Sequence, residues 1–157
     1  KALMATAEEY GVPMPIVHAT NEVNAHQRQR FIDLILSKLS PASTVAVWGL
    51  SFKPKTDDMH EAPSIDVIHA LINAGHTVKA YDPEATERAK PLLPSSIHYA
   101  PTATDAVNGT DALVLLTEWD EFKGVDLNNI KTMTKGNLLF DGRNIYDAKE
   151  AADANFT

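Results

Sequence analysis

Four apolar residues in unbroken succession, Val45-Ala46-Val47-Trp48, constrain this chain more than any other feature. A strand with one wet face alternates apolar and polar residues, whereas a continuous run fits a strand covered on both faces, as in a parallel sheet between helices. The next segment, Gly49-Leu50-Ser51-Phe52-Lys53-Pro54-Lys55-Thr56-Asp57-Asp58-Met59-His60-Glu61-Ala62, is long and polar, and Pro63 is a favoured first residue of a helix. A buried strand, a polar loop and a helix make the opening of a βαβ unit.

From residue 44 onward strand and helix signals alternate. Strands are expected at 44–48, 77–81, 97–99, 112–116 and 138–140. A helix over 63–74 would bury Ile65, Ile68, Leu71 and Ile72 and stop at Gly75, while Thr102 with Asp105, and Asp126, would cap two more. This alternation predicts an α/β, Rossmann-like domain over 41–157, with a mostly parallel open sheet and flanking helices. Ahead of it, 1–40 reads as a helical linker. Residues 1–10 would form the tail of a helix ended by Gly11, Pro13 and Pro15 would enforce extended backbone, and a second helix would run over 21–39 with Thr20 as N-cap. Its stripe of Phe31, Leu34, Ile35 and Leu39 suits a connector, a subunit interface or plain packing on its own domain.

In open parallel sheets ligands bind outside the carboxyl ends of the strands. After the successive strands come Ser51, Phe52 and Lys53, then Asp82, then Thr117, Glu118 and Trp119, then Asp141, Gly142 and Arg143, so all share one rim. The chain carries a formal charge of -7, which argues against nucleic acid and requires an anionic ligand to meet local positive charge. Lys53, Lys55 and Arg143 supply it, and a diphosphate is a natural guest for them. Alternatively, Lys53 and Lys55 pair with Asp57 and Asp58 in a solvated loop. Trp119 and Phe52 could each stack on a ring or close the core. Asp82 stands where a dinucleotide fold holds a ribose, but no Gly-x-Gly-x-x-Gly turn accompanies it, which argues against a main NAD site here.

Other chemistries find little support. The chain has no cysteine, so disulfides and thiolate metal sites are excluded and a reducing, cytoplasmic setting is expected. The histidines lack metal-ligand spacing: His18 and His26 lie far apart for a helix pair, and His60 and His69 have no near partner. The neighbours Glu8 and Glu9, or Asp57 and Asp58, point in different directions and read as surface charge. No nucleophile elbow is present, so no catalytic residue is assigned. No apolar stretch approaches the roughly 20 residues of a membrane-spanning helix.

Gly49-Leu50-Ser51-Phe52-Lys53-Pro54-Lys55-Thr56-Asp57-Asp58-Met59 with Glu61-Ala62-Pro63-Ser64, then Tyr81-Asp82-Pro83, Thr117-Glu118-Trp119 with Glu121-Phe122, and Asp141-Gly142-Arg143-Asn144, resemble in order and spacing the motifs of the UDP-glucose/GDP-mannose dehydrogenase family. Thr117-Glu118-Trp119 is closest to the branch acting on UDP-glucose. The resemblance spans the chain, from the Val23-Asn24 and Gln27 of a linking helix through a UDP-binding domain. It implies that Phe52, Lys53 and Arg143 contact a UDP-sugar and that the parent enzyme oxidises the sugar C6 alcohol to a carboxylate with two NAD in succession. The family's nucleophilic cysteine, in a Gly-Cys-Phe-Pro-Lys-Asp motif, and its N-terminal NAD-binding domain would lie upstream, so this piece is expected to bind without catalysing. The family associates through its central helices, which implies a homodimer. Where the family commonly has an arginine reaching the NAD pyrophosphate, this chain has His60, shorter and mostly neutral at pH 7. A noncatalytic nucleotide-binding regulatory module, an interaction module built on the 21–39 helix, and a family dehydrogenase for another UDP- or GDP-sugar are the alternatives.

Overall fold

The structure is a computed structural model that describes residues 2–157; Lys1, where the predicted first helix and linker begin, lies outside them. It divides into two compact units, Lys1–Leu34 and Ile35–Thr157.

The first unit contains α1 (Ala2–Glu9) and most of α2 (Pro15–Lys38). Gly11 ends α1 as predicted: at φ 65° it lets the Val12 amide reach back to the Ala7 carbonyl at 2.8 Å, closing the helix end with a glycine in left-handed backbone. The start of α2 corrects the sequence reading by six residues. Pro15 does not enforce extended chain but opens the helix, where its missing N–H costs nothing. Thr20 therefore lies inside the helix, and its hydroxyl donates to the Ile16 carbonyl at 2.8 Å instead of capping.

The second unit is built on β1 (Thr44–Trp48), β2 (Thr77–Tyr81), β3 (His98–Tyr99), β4 (Ala112–Leu115) and β5 (Leu138–Asp141). The order is β3-β2-β1-β4-β5 and every pairing is parallel, with Val47 opposite both Ala80 and Val114. Successive strands step outward from β1 in one direction, then resume on its other side at β4. The switch in strand order thus falls between β1 and β4, where an open sheet leaves a crevice.

Helices α3 (Pro63–Asn73), α4 (Thr86–Ala89), α5 (Ala103–Val107), α6 (Asp120–Lys123), α7 (Leu127–Met133) and α8 (Ala148–Asp153) complete the unit. Residues Val45 to Trp48 and Leu113 to Leu115 are fully buried, as their unbroken apolar runs demand. Trp48 stacks on Phe122 with centroids 5.0 Å apart and donates its indole N–H to the Ala103 carbonyl at 2.9 Å, so the largest core side chain leaves no buried donor unpaired. On α3 the buried face is Ser64, Val67, Ile68 and Leu71, so Ile65 and Ile72 flank the stripe rather than form it. The caps on α5 and α7 form as expected: Thr102 accepts the Asp105 amide at 3.1 Å and Asp126 the Asn128 amide at 2.9 Å. Beyond α8, Thr157 donates to Asn137 and accepts from Leu139, a parallel bridge on the outer edge of β5.

Candidate functional site

Because all five strands are parallel, the segments that leave β1, β2, β4 and β5 emerge at one edge of the sheet. At the strand switch, Gly49 leaves β1 with φ 88°, and a Cβ there would stand 2.6 Å from both Cβ and N of Thr117. Only glycine permits this approach. It brings the two turns into contact, and Thr117 Oγ1 then donates to the Ser51 carbonyl at 2.6 Å.

Asp82, just beyond β2, holds this junction together. Its Oδ2 accepts the amides of Leu50 (2.7 Å) and Ser51 (3.0 Å), the Ser51 hydroxyl (3.1 Å) and the Trp119 indole N–H (3.2 Å), while Oδ1 accepts the amides of Glu84 (2.9 Å) and Ala85 (2.7 Å). The residue is 3% exposed. A carboxylate saturated in this way organises three loops and has no lone pair to offer a ribose. The 14 residues from Gly49 to Ala62 contain no helix or strand, and no glycine-rich turn leads directly into α3. The residues at the switch therefore do not fit the pyrophosphate and ribose of a dinucleotide.

The aromatics part ways. Trp119 is 8% exposed and belongs to the core, whereas Phe52 is 46% exposed at the rim. The adjoining Lys53 is exposed and makes no hydrogen bond or ion pair among the described residues. Lys55, in left-handed backbone at φ 64°, extends to Asp120 at 3.3 Å. Asp57 pairs with Arg88 at 3.0 Å, and Asp58 Oδ1 accepts the His60 amide at 2.9 Å. The expected alternative of Lys53 and Lys55 neutralised by Asp57 and Asp58 does not occur.

From the other side, Asp141 shapes the turn that carries Arg143. Its Oδ1 accepts the Arg143 amide at 2.9 Å and its Oδ2 the amides of Ile145 (2.8 Å) and Tyr146 (3.0 Å). Arg143 Nε then meets Glu118 Oε2 at 2.5 Å. Lys55 after β1 thus reaches the first residue of α6, and Arg143 after β5 the short segment between β4 and α6. Sequence reasoning placed Glu118 on the rim without giving it a role and passed over Asp120; the acids flanking Trp119, opposite rim cations, were the available signal. Hydrogen bonds from Lys123 and then Lys55 hold the Asp120 carboxyl below the usual carboxylate range. Partial burial, then the hydrogen bond to Glu121, pushes the Tyr81 phenol up to about 12.

Two cavities adjoin the 49–62 loop. One of about 430 Å³ is lined by Lys55, Thr56, Asp57, Glu84 and Trp119. A larger one, about 660 Å³, includes Asp57, His60, Glu61, Ile65, Arg88 and Leu92. His60 donates its backbone N–H to Asp58; its ring stands 3.9 Å from Glu61 Oε1 and its side chain is 86% exposed. Among the described residues no group of three or more acidic or histidine side chains could hold a metal ion, and no helix is long and apolar enough to cross a membrane.

Comparison with known proteins agrees with this architecture. Residues 46–148 match the UDP-binding domain of the UDP-glucose/GDP-mannose dehydrogenase family. The chain is 36% identical over 157 residues to the UDP-glucose 6-dehydrogenase TuaD of Bacillus subtilis (strain 168), covering 99% of this chain and 34% of that protein. It is 38% identical over 158 residues to a UDP-glucose 6-dehydrogenase of Rhizobium meliloti (strain 1021), covering 99% and 36%. A UDP-glucose dehydrogenase structure from the hyperthermophilic archaeon Pyrobaculum islandicum superposes with a TM-score of 0.81 at 28% identity, over 95% of this chain and 33% of that one. The chain therefore spans about a third of the length of these relatives.

Proposed function

The chain belongs to the UDP-glucose/GDP-mannose dehydrogenase family, and from that membership we propose that it forms the nucleotide-sugar-binding, C-terminal portion of an NAD-dependent UDP-glucose 6-dehydrogenase. The complete enzyme would convert UDP-glucose to UDP-glucuronate in the cytoplasm by two successive NAD-linked oxidations. The observation that carries the reading is the arrival of cations from both flanks of the rim, Lys55 after β1 at Asp120 and Arg143 after β5 at Glu118, with Lys53 exposed on the same loop as Lys55.

A diphosphate placed there would meet Lys55 and the Arg143 guanidinium, with Lys53 supplied from the same loop, and phosphate oxygens are well matched to an arginine fork. Phe52 offers an exposed ring beside Lys53 for the uracil or the sugar. This chain would bind and orient the nucleotide, leaving its C6 carbon toward the part of the enzyme that carries the nucleophile. With no cysteine and a saturated Asp82, the chain alone would not catalyse, and NAD would be held mainly by an N-terminal domain. His60 would then face the cofactor from across the interdomain cleft. The helical unit would contribute to a homodimer.

Isothermal titration of the chain with UDP, UDP-glucose and uridine tests the reading. UDP and UDP-glucose are expected to bind at least about tenfold more tightly than uridine, because the diphosphate supplies most of the contact. Equal affinity for uridine and UDP would contradict it.

A further inference from the structure

Glu118 is the acid that touches the Arg143 side chain, and its geometry is not that of a simple competitor for charge. It accepts from Arg143 through Nε alone, and Nη1 and Nη2 make no hydrogen bond among the described residues. The two terminal nitrogens are the pair that an arginine offers to two phosphate oxygens at once. The contact is also better shielded than its neighbours. The two side chains are 33% and 35% exposed, against 78% and 67% for Lys55 and Asp120 and 73% and 53% for Arg88 and Asp57.

Both partners stand on fixed backbone. Glu118 lies between Thr117, fully buried and bonded to the Ser51 carbonyl, and Trp119, whose indole is tied to Asp82. Arg143 rises from the turn that Asp141 closes with three amide bonds. A long side chain tethered midway between two rigid anchors has lost much of its rotamer freedom before a ligand arrives.

From this we propose that Glu118 is a positioning residue: it grips Arg143 at Nε and so presents the Nη edge of the guanidinium to the diphosphate. The inference rests on the nucleotide-binding role of Arg143 proposed above and assigns to that site a residue that controls its affinity. Glu118 itself does not touch the nucleotide.

A double-mutant cycle on the 157-residue chain tests it, with UDP affinity read by titration calorimetry and folding checked by thermal melting. Glu118→Ala is expected to weaken UDP by about tenfold in the native background and by less than about twofold in an Arg143→Ala background, since its effect passes through the arginine. Glu118→Gln keeps an acceptor oxygen for Nε and is expected to stay within about threefold of the native chain. Uridine, lacking phosphate, should bind all variants alike. Tighter UDP binding by Glu118→Ala would make Glu118 a competing counter-ion and overturn the inference, as would an equal loss with and without Arg143. If Arg143→Ala weakens UDP while Glu118→Ala does not, this inference fails alone. If Arg143→Ala binds UDP as the native chain does, or UDP does not bind, the proposed site fails with it.

Discussion

Asp82 and Arg143 follow strands of the same sheet on the same edge, yet they meet opposite fates. Asp82 is 3% exposed and accepts six hydrogen bonds from Leu50, Ser51, Glu84, Ala85 and Trp119, so its charge is consumed in joining loops. Arg143 is held at one nitrogen and a third of its side chain faces solvent. The contrast separates scaffold from receptor. A polar group with every bond made inside the protein fixes geometry, whereas one with bonds unmade at the surface is available to a ligand. Phe52, exposed at the rim, and Trp119, buried and bonded to Asp82, repeat the lesson among the aromatics.

The sharpest way to break this distinction is to remove the scaffold carboxylate. Asp82→Ala leaves several buried N–H groups without an acceptor and should cost about 3 to 5 kcal/mol of stability, measured by urea unfolding. A cost within the error of the measurement would mean the hub holds nothing. Gly49→Ala comes next. A methyl group 2.6 Å from Thr117, on backbone at φ 88°, should destabilise by about 2 to 4 kcal/mol, and a melting temperature equal to that of the native chain would deny the close approach.

On the receptor side the expectation reverses. Lys53→Ala and Arg143→Ala should each leave stability within about 0.5 kcal/mol while weakening UDP by about tenfold. A variant that loses stability and affinity together would place its residue with the scaffold. The smallest effect concerns Tyr81. Its folded pKa is raised to about 12 from 10.0, so its contribution to stability is complete below pH 10 and is lost as the pH climbs toward 12. Tyr81→Phe should blunt that alkaline loss in unfolding curves taken across this window; an unchanged slope would show that other groups govern it.

Much of the fold was legible before any coordinates. The Val45-Ala46-Val47-Trp48 run placed β1 and β2 followed at its predicted bounds, because a strand covered on both faces leaves a continuous apolar record. The start of α2 was misread because Pro15 serves equally as a breaker and as a first helical residue, and only the chain's path decides between them. Helices α4, α6 and α8, of four to six residues, are too short to establish a period. At α3 the stripe shifted because Ser64, small and bonded to the Leu50 carbonyl, faces the core where isoleucines were expected to do so.

The site was legible as a rim and less so as a mechanism of assembly. Parallel strands bring Ser51, Asp82, Thr117 and Arg143 to one edge whatever their side chains do, so the location follows from the βα alternation. That Asp82 belongs to the scaffold depends on the Leu50 and Ser51 amides and the Trp119 indole N–H, donors contributed by two other loops, which no spacing encodes. The partner of Arg143 lay 25 residues away across a strand pair, and Glu118 gains its role from β4 lying beside β5.

Mapping the nucleotide by amide chemical-shift perturbation tests the central claim most directly. Titrating UDP into the isotopically labelled chain should move the amides of residues 51–56, 117–121 and 141–144 together along one saturable curve. Shifts confined to the cavity bordered by His60, Arg88 and Leu92, or to α1 and α2, would contradict a nucleotide site at the cationic rim.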